Sequence, residues 1–277
     1  MPKVWLITGT SRGLGRALTE TVLAAGHQVL ATARKPAQLT DLVDRYGAQI
    51  HPVALDVTDP AAATAAVRAA VDVFGRLDVV VNNAGYADLA SVEDSSIEAF
   101  RAQIETNFYG VVHVTRAALP ILREQGSGHI IQISSVGGRV TTVGLSAYQS
   151  AKWAVGGFSE SLAQEVGPLG IKVTVVEPGG MRTDWAGSSM TIPPISEPYR
   201  PTVGTLLDRF ADLAGIPAAE PAAAARAVVE VSELDDPPVR LLLGKDAVAF
   251  AGAVEQARAA SDEKWRALSE SVSVATA

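Results

Sequence analysis

The 277-residue chain contains no cysteine. That one absence excludes disulfides, thiolate nucleophiles and zinc–cysteine sites. Histidine is nearly as scarce: four residues, at 27, 51, 113 and 129, with no metal-ligand spacing among them, so no metal centre is expected. There is no uninterrupted apolar run of about 18 residues, the length a membrane-spanning helix needs. The opening "MPKVWLITG" lacks the apolar core of a signal peptide and leads straight into a strand-like pattern, so a cytoplasmic protein is expected. Positive charge is not in excess either. The formal net charge of −7 argues against a nucleic-acid surface, although a local basic pocket for one phosphate remains compatible with it. With 48% hydrophobic and 19% charged residues, the composition is that of a globular protein and too apolar for disorder.

What is present is alternation. Short Val/Ile/Leu-rich runs at 4–8, 28–33, 49–55, 77–82, 129–134, 172–177 and 239–244 predict seven strands buried on both faces, the pattern of a parallel sheet. Between the first six lie helix-period segments near 14–25, 36–46, 60–74, 96–104, 108–124 and 148–166. Strand–helix alternation implies right-handed crossovers and an α/β fold: a Rossmann-like, doubly wound, seven-stranded parallel sheet with helices on both faces. No linker or repeat divides the chain, so one domain over 1–277 is the economical expectation. Regularity fails at 186–217, which carries five prolines and a short helical piece around 204–214. A long irregular insertion in a compact domain is expected to be a substrate lid or binding loop. From about 246 the tail reads as an Ala-rich helix able to cover a sheet edge or a partner subunit.

"TGTSRGLG", residues 8–15, follows the first strand and opens the first helix. Glycines at 9, 13 and 15 let the backbone turn sharply and expose amides to a pyrophosphate at the positive helix end. Further on, Tyr148 and Lys152 stand four residues apart and share one helical face, at the inner edge of the stripe Ala151, Val155, Phe158, Leu162 and Val166. A phenol with a pKa near ~10 is a poor proton carrier at neutral pH, and a neighbouring ammonium is expected to lower that value. The plainer alternative is a buried tyrosine beside a snorkelling lysine.

Four segments in order, TGxxxGxG at 8–15, "NNAG" at 82–85, Tyr148-x-x-x-Lys152 and "PGGMRT" at 178–183, resemble the short-chain dehydrogenase/reductase superfamily, in its single-domain branch. The match runs from residue 3 to about 185. The resemblance implies a nicotinamide dinucleotide held by Gly9, Ser11, Arg12, Gly13, Leu14 and Gly15. Asp56 and Val57 would stand at the adenine, and Asn83, Ala84 and Gly85 along the cofactor face. Tyr148 and Lys152 would lie at the nicotinamide ribose, and Pro178, Gly179 and Thr183 at the nicotinamide. It further implies catalysis by Ser135, thirteen positions before the tyrosine, with Ser134 as fallback, by Tyr148 and Lys152, and by Asn107 as the water-binding member of a proton relay. Asn107 also reads as a helix N-cap, and Asp56 as a cap weaker than Asp59 before Pro60. Asn82 ranks lower, as a strand-end hydrogen bonder.

The second strand ends "ATARKP", with Ala33 where an NAD enzyme places a carboxylate and Arg34 next to it. Arg12 and Arg34 without that acid resemble the NADP-preferring pattern, since a 2′-phosphate needs cations. The expected activity is therefore an NADP(H)-dependent carbonyl reductase working on a small hydrophobic ketone or alcohol, walled by 136–145, 181–185 and 186–217. The layout, including "VRLLLGKDA" near the end, is similar to the hydroxysteroid-dehydrogenase-like members. An NADP-dependent epimerase or dehydratase, and a non-catalytic NADP-binding regulator on the same fold, remain open alternatives. The resemblance also implies a homodimer or homotetramer built through the helices at 108–124 and 148–166.

Overall fold

The protein is described here from a computed structural model that covers residues 2–182, 190–212 and 219–273. All seven strand expectations are met: β1 (Val4–Thr8), β2 (Gln28–Ala33), β3 (Ile50–Ala54), β4 (Val79–Asn82), β5 (Gly128–Ile133), β6 (Ile171–Pro178) and β7 (Arg240–Leu243). They form one all-parallel sheet in the order β3-β2-β1-β4-β5-β6-β7. Side chains alternate between its faces, as strand geometry requires. Trp5, Ile7, Val79, Val81 and Ile131 enter the core on one face, while Leu6, Val80 and Ile130 enter the core on the other.

The helices are α1 (Gly13–Ala24), α2 (Thr40–Tyr46), α3 (Pro60–Phe74), α4 (Ile97–Ile104), α5 (Gly110–Gln125), α6 (Ser146–Val166), α7 (Thr205–Asp212), α8 (Pro221–Glu233) and α9 (Lys245–Glu270). α1, α2 and α8 cover the first face, and α3, α5 and α6 cover the second. The Asp59 cap forms as its sequence suggests, its carboxylate accepting from Ala61 N at 2.8 Å and Ala62 N at 3.1 Å ahead of Pro60. α8 is an element that the strand–helix reading passed over. Its signals are Pro221 at the first helical position and small or branched residues at 224, 225, 228 and 231, which pack on α1.

The strand order places a switch point between β1 and β4. From β1 the chain moves outward to β2 and β3, then returns to β4 and proceeds the other way. Loops leaving the carboxyl ends of β1 and β4 therefore diverge and leave a crevice, the usual ligand position in open α/β sheets. The glycine turn and residues 83–85 border that crevice.

Candidate active site

The glycine turn is built by close approach. Gly9 has φ +70, and a Cβ there would lie 2.9 Å from the Ala84 Cα. At Gly15 a Cβ would collide with the Gly9 carbonyl oxygen and the Asn83 side-chain amide. Asn83 Nδ2 donates to Thr8 O at 2.8 Å and to Gly9 O at 3.1 Å. Thr8 Oγ1 in turn accepts from the amides of Asn83 (2.9 Å) and Ala84 (3.0 Å). The ends of β1 and β4 are thus stapled together, and the backbone of α1 starts at the crevice with no side chain capping its first amides. Leu14 is buried in the core beneath the turn, Ser11 is half-buried and Arg12 is exposed at the N-cap position. A chain path that only glycine can follow, opening at a helix N-terminus, suits an approaching pyrophosphate. Thr8, the first residue of the TGxxxGxG segment, was given no site role by the sequence. Asn82 is structural: its Nδ2 donates to Gln132 Oε1 (2.8 Å) and Thr115 Oγ1 (3.1 Å) inside the sheet.

Beyond β2, Arg34 is exposed. Asp56 makes an Asx turn, its Oδ1 accepting from Thr58 N (3.0 Å) and Thr58 Oγ1 (2.8 Å). Those bonds hold its carboxyl below the usual range, with Arg34 adding to the effect. Asp56 is therefore within the field of Arg34 and does not cap α3. The Tyr86 phenol, pushed up chiefly by burial, feels the same guanidinium. Val57 is buried against Gly110, where a Cβ would lie 2.6 Å from its Cγ2.

Asn107 is fully buried, in a π-helical turn (Glu105–Tyr109) between α4 and α5. It therefore interrupts the helix and is not an N-cap, which corrects that reading. The wider turn aims its side chain inward, where Nδ2 donates to Tyr86 O (2.8 Å) and Gln103 O (2.9 Å) and Oδ1 accepts from Tyr86 N (3.2 Å). A Cβ on Gly85 would sit 2.5 Å from Asn107 Oδ1 and 3.6 Å from Lys152 Nζ, so Asn107, Gly85 and Lys152 meet at one point.

Lys152 is 4% exposed, and its Nζ donates to Ile133 O at 2.8 Å, 5.6 Å from the centre of the Tyr148 ring. Desolvation pulls the amine down to about 8. Burial also pushes the Tyr148 phenol up to about 12, opposed by a hydrogen bond with Ser135. This is the reverse of the expected lowering. Low polarity penalises phenolate and ammonium alike, and burial is the leading cause at both groups. Ser135 Oγ accepts from Gly137 N at 3.0 Å, which leaves its proton to be donated. Ser134 is buried and donates to the Lys152 carbonyl at 3.3 Å, a brace for α6.

Against Tyr148 lies a separate apolar cluster of Ala87, Leu89, Leu145 and Val203, extended by Met190, Ile195, Tyr199, Leu206 and Leu207. Residues 190–199 are tied to the loop after β4 by Thr191 N to Asp88 Oδ1 (3.0 Å), Ser196 N to Asp94 Oδ2 (3.2 Å) and Tyr199 OH to Glu93 Oε2 (2.7 Å). Pro178 and Gly179 leave the end of β6 at the carboxyl edge of the sheet, while Thr183 and most of the expected wall at 181–185 lie outside the described residues. Among the described residues no cluster of His, Cys, Asp or Glu could hold a metal, and no helix is long and apolar enough to cross a membrane.

Comparison with known proteins agrees with this geometry. Residues 3–191 match the family model described as short chain dehydrogenase. The chain is 56% identical over 270 residues to Oxidoreductase BOA17 of Botryotinia fuckeliana, covering 97% of this chain and 98% of that one. A short-chain dehydrogenase structure from Streptomyces avermitilis superposes with a TM-score of 0.91 at 37% identity, covering 98% of each chain. The closed form of a serine dehydrogenase complexed with NADP+ gives a TM-score of 0.75 at 28% identity, covering 87% of this chain and 94% of that one. The chain belongs to the short-chain dehydrogenase family and is an oxidoreductase of that family.

Proposed function

We propose that the chain is an NADP(H)-dependent carbonyl reductase that interconverts a hydrophobic ketone and its alcohol. The observation that carries this reading is the convergence of Ser135, Tyr148 and Lys152 beside the switch-point crevice, under an apolar wall. When bound, the nicotinamide supplies or accepts a hydride. The residues do the rest. Ser135 donates a hydrogen bond to the substrate oxygen and holds it in place. Tyr148, whose phenol burial pushes up to about 12, delivers its proton to that oxygen during reduction, and the phenolate left behind is the base that takes the alcohol proton when the reaction runs toward oxidation. Lys152 presents a cation beside the phenol and a donor to the cofactor ribose, and Asn107 supports the proton path behind it.

Arg12 and Arg34, with Ala33 in place of an acid, favour a 2′-phosphate. Residues 186–217, of which 186–189 and 213–217 lie outside the described residues, act as a substrate lid: the cluster that Met190, Ile195, Tyr199 and Val203 share with Leu89, Leu145 and Tyr148 offers aliphatic and aromatic surface with few polar groups. A compact apolar ketone, as in the hydroxysteroid-dehydrogenase-like members, suits such a wall. The test is NADPH oxidation over aliphatic, aromatic and steroidal ketones with NADH as control. Product formation without net cofactor turnover would replace this reading with that of an epimerase, and binding without any turnover would replace it with that of a regulator.

A further inference from the structure

The first turn of α9 reaches back onto the loop that follows β6. Asp246 Oδ2 accepts a hydrogen bond from Gly180 N at 2.7 Å, and Gly179 N donates to Leu243 O at 2.9 Å. A Cβ on Gly179 would overlap both carboxylate oxygens of Asp246. On the other side, Gly244 has φ +112, and a Cβ there would lie 2.5 Å from Asp246 Oδ1. The carboxylate is wedged between the exits of β6 and the entry of α9, and glycine on each side is what admits it. Gly180 O also accepts from Ala219 N at 2.8 Å.

Further along α9, Glu255 pairs with Arg139 Nη1 at 2.8 Å, and Arg258 donates to the Arg139 carbonyl at 2.7 Å while lying 4.5 Å over the Trp153 ring of α6. Arg139 ends the turn that begins at Ser135, and its Nε also bonds the fully buried Glu177 of β6 at 2.7 Å. One helix therefore grips two loops: the Gly179–Gly180 loop through Asp246, and the Ser135 turn through Glu255 and Arg258.

We propose that Asp246 is a positioning residue for the nicotinamide half of the cofactor pocket. Its carboxylate holds Pro178–Gly180 in one conformation, and α9 splints that loop to the Ser135 turn. The inference rests on the dinucleotide reading above. Two consecutive glycines lose more conformational freedom on ordering than any other pair, so a loop already clasped by a charged acceptor spares the cofactor that cost. The adenosine half, bordered by Arg12, Arg34 and Asp56, is contacted by neither Asp246 nor α9 in any of these bonds.

The experiment compares wild type, Asp246→Ala and Asp246→Asn for binding of NADPH and of adenosine 2′,5′-bisphosphate, which lacks the nicotinamide half, with a thermal melt of each. Asp246→Ala is expected to bind NADPH about tenfold more weakly, the scale of one charge-assisted hydrogen bond, with the bisphosphate unchanged within about twofold. Asp246→Asn, which keeps an oxygen for Gly180 N, should recover most of the loss. Should Asp246→Ala fail to fold, Gly244→Ala, which crowds the same carboxylate from the α9 side, must give the same split. Equal losses for dinucleotide and bisphosphate, or undiminished NADPH binding, would overturn the proposal alone. A wild type that binds neither NADPH nor NADH would overturn the dinucleotide reading, and this inference with it.

Discussion

Replacing Lys152 with methionine should make the protein more stable and inactive at once. The side chain is almost wholly buried, and desolvation takes its pKa from 10.5 down to about 8. Between those values the unfolded chain holds a proton that the folded chain has released, so stability rises with pH across that window. The cost of burying the ammonium is fully present below about pH 8 and amounts to about 3 kcal/mol at pH 7. Methionine removes that cost but leaves Ile133 O without its donor, a loss of about 1–2 kcal/mol. The variant should therefore gain about 1–2 kcal/mol at pH 7. By pH 10 wild type recovers about 2 kcal/mol of the cost, so the advantage vanishes or reverses. Tyr148 does not disturb the comparison. Its raised pKa contributes stability that is complete below about pH 10 and is lost as pH rises through about 12, in both proteins. Urea unfolding of both proteins at pH 7 and pH 10, followed by tryptophan fluorescence, reads the difference directly, and ketone reduction reads the activity. A variant less stable at pH 7 by an amount that does not change with pH would refute the argument that desolvation governs this lysine.

Three further substitutions test other parts of the site. Tyr148→Phe keeps the ring and its packing, so folding and cofactor affinity should stay near wild type while kcat falls by about 10²–10⁴, the range for a general acid; near-normal turnover would end the proposed mechanism. Arg34→Glu should leave the fold untouched, since Arg34 is exposed, and should lower the kcat/KM preference for NADPH over NADH by about a hundredfold; an unchanged ratio would place the 2′-phosphate elsewhere. Gly15→Ala drives a methyl into the Gly9 carbonyl and the Asn83 amide, so it should cost about 1–3 kcal/mol in unfolding and abolish measurable dinucleotide binding. A normal NADPH titration of that variant would show that the turn is not the pyrophosphate cradle.

Much of the framework was legible without coordinates because it depends on near neighbours. Strand runs such as "VWLIT" and "KVTVVE" announce themselves by composition, and the cap at Asp59 by the proline that follows it. Tyr148 and Lys152 share a face because a helix returns every fourth residue to the same side, wherever that helix packs. The glycine turn could be read because φ > 0 and close approach admit few other residues. α8 gives only a faint amphipathic signal, because its apolar face is made largely of alanine.

What lay beyond the sequence depends on distant chain segments. The π turn that buries Asn107 is one extra residue in a helix, and nothing in "IETNFYG" distinguishes it from a cap until Gly110 packs on Val57. The pKa of Tyr148 moves opposite to the pairwise argument because desolvation sums over every element around it, including residues such as Val203 far along the chain. Asp246 meets Gly180 across 66 positions, and Arg139 meets Glu255 across 116. Local order, helix faces and turn chemistry belong to the sequence, since they are short-range. Burial, the electrostatics it sets and the grip of α9 on the site belong to the tertiary structure, because only packing brings those groups together and removes the water between them.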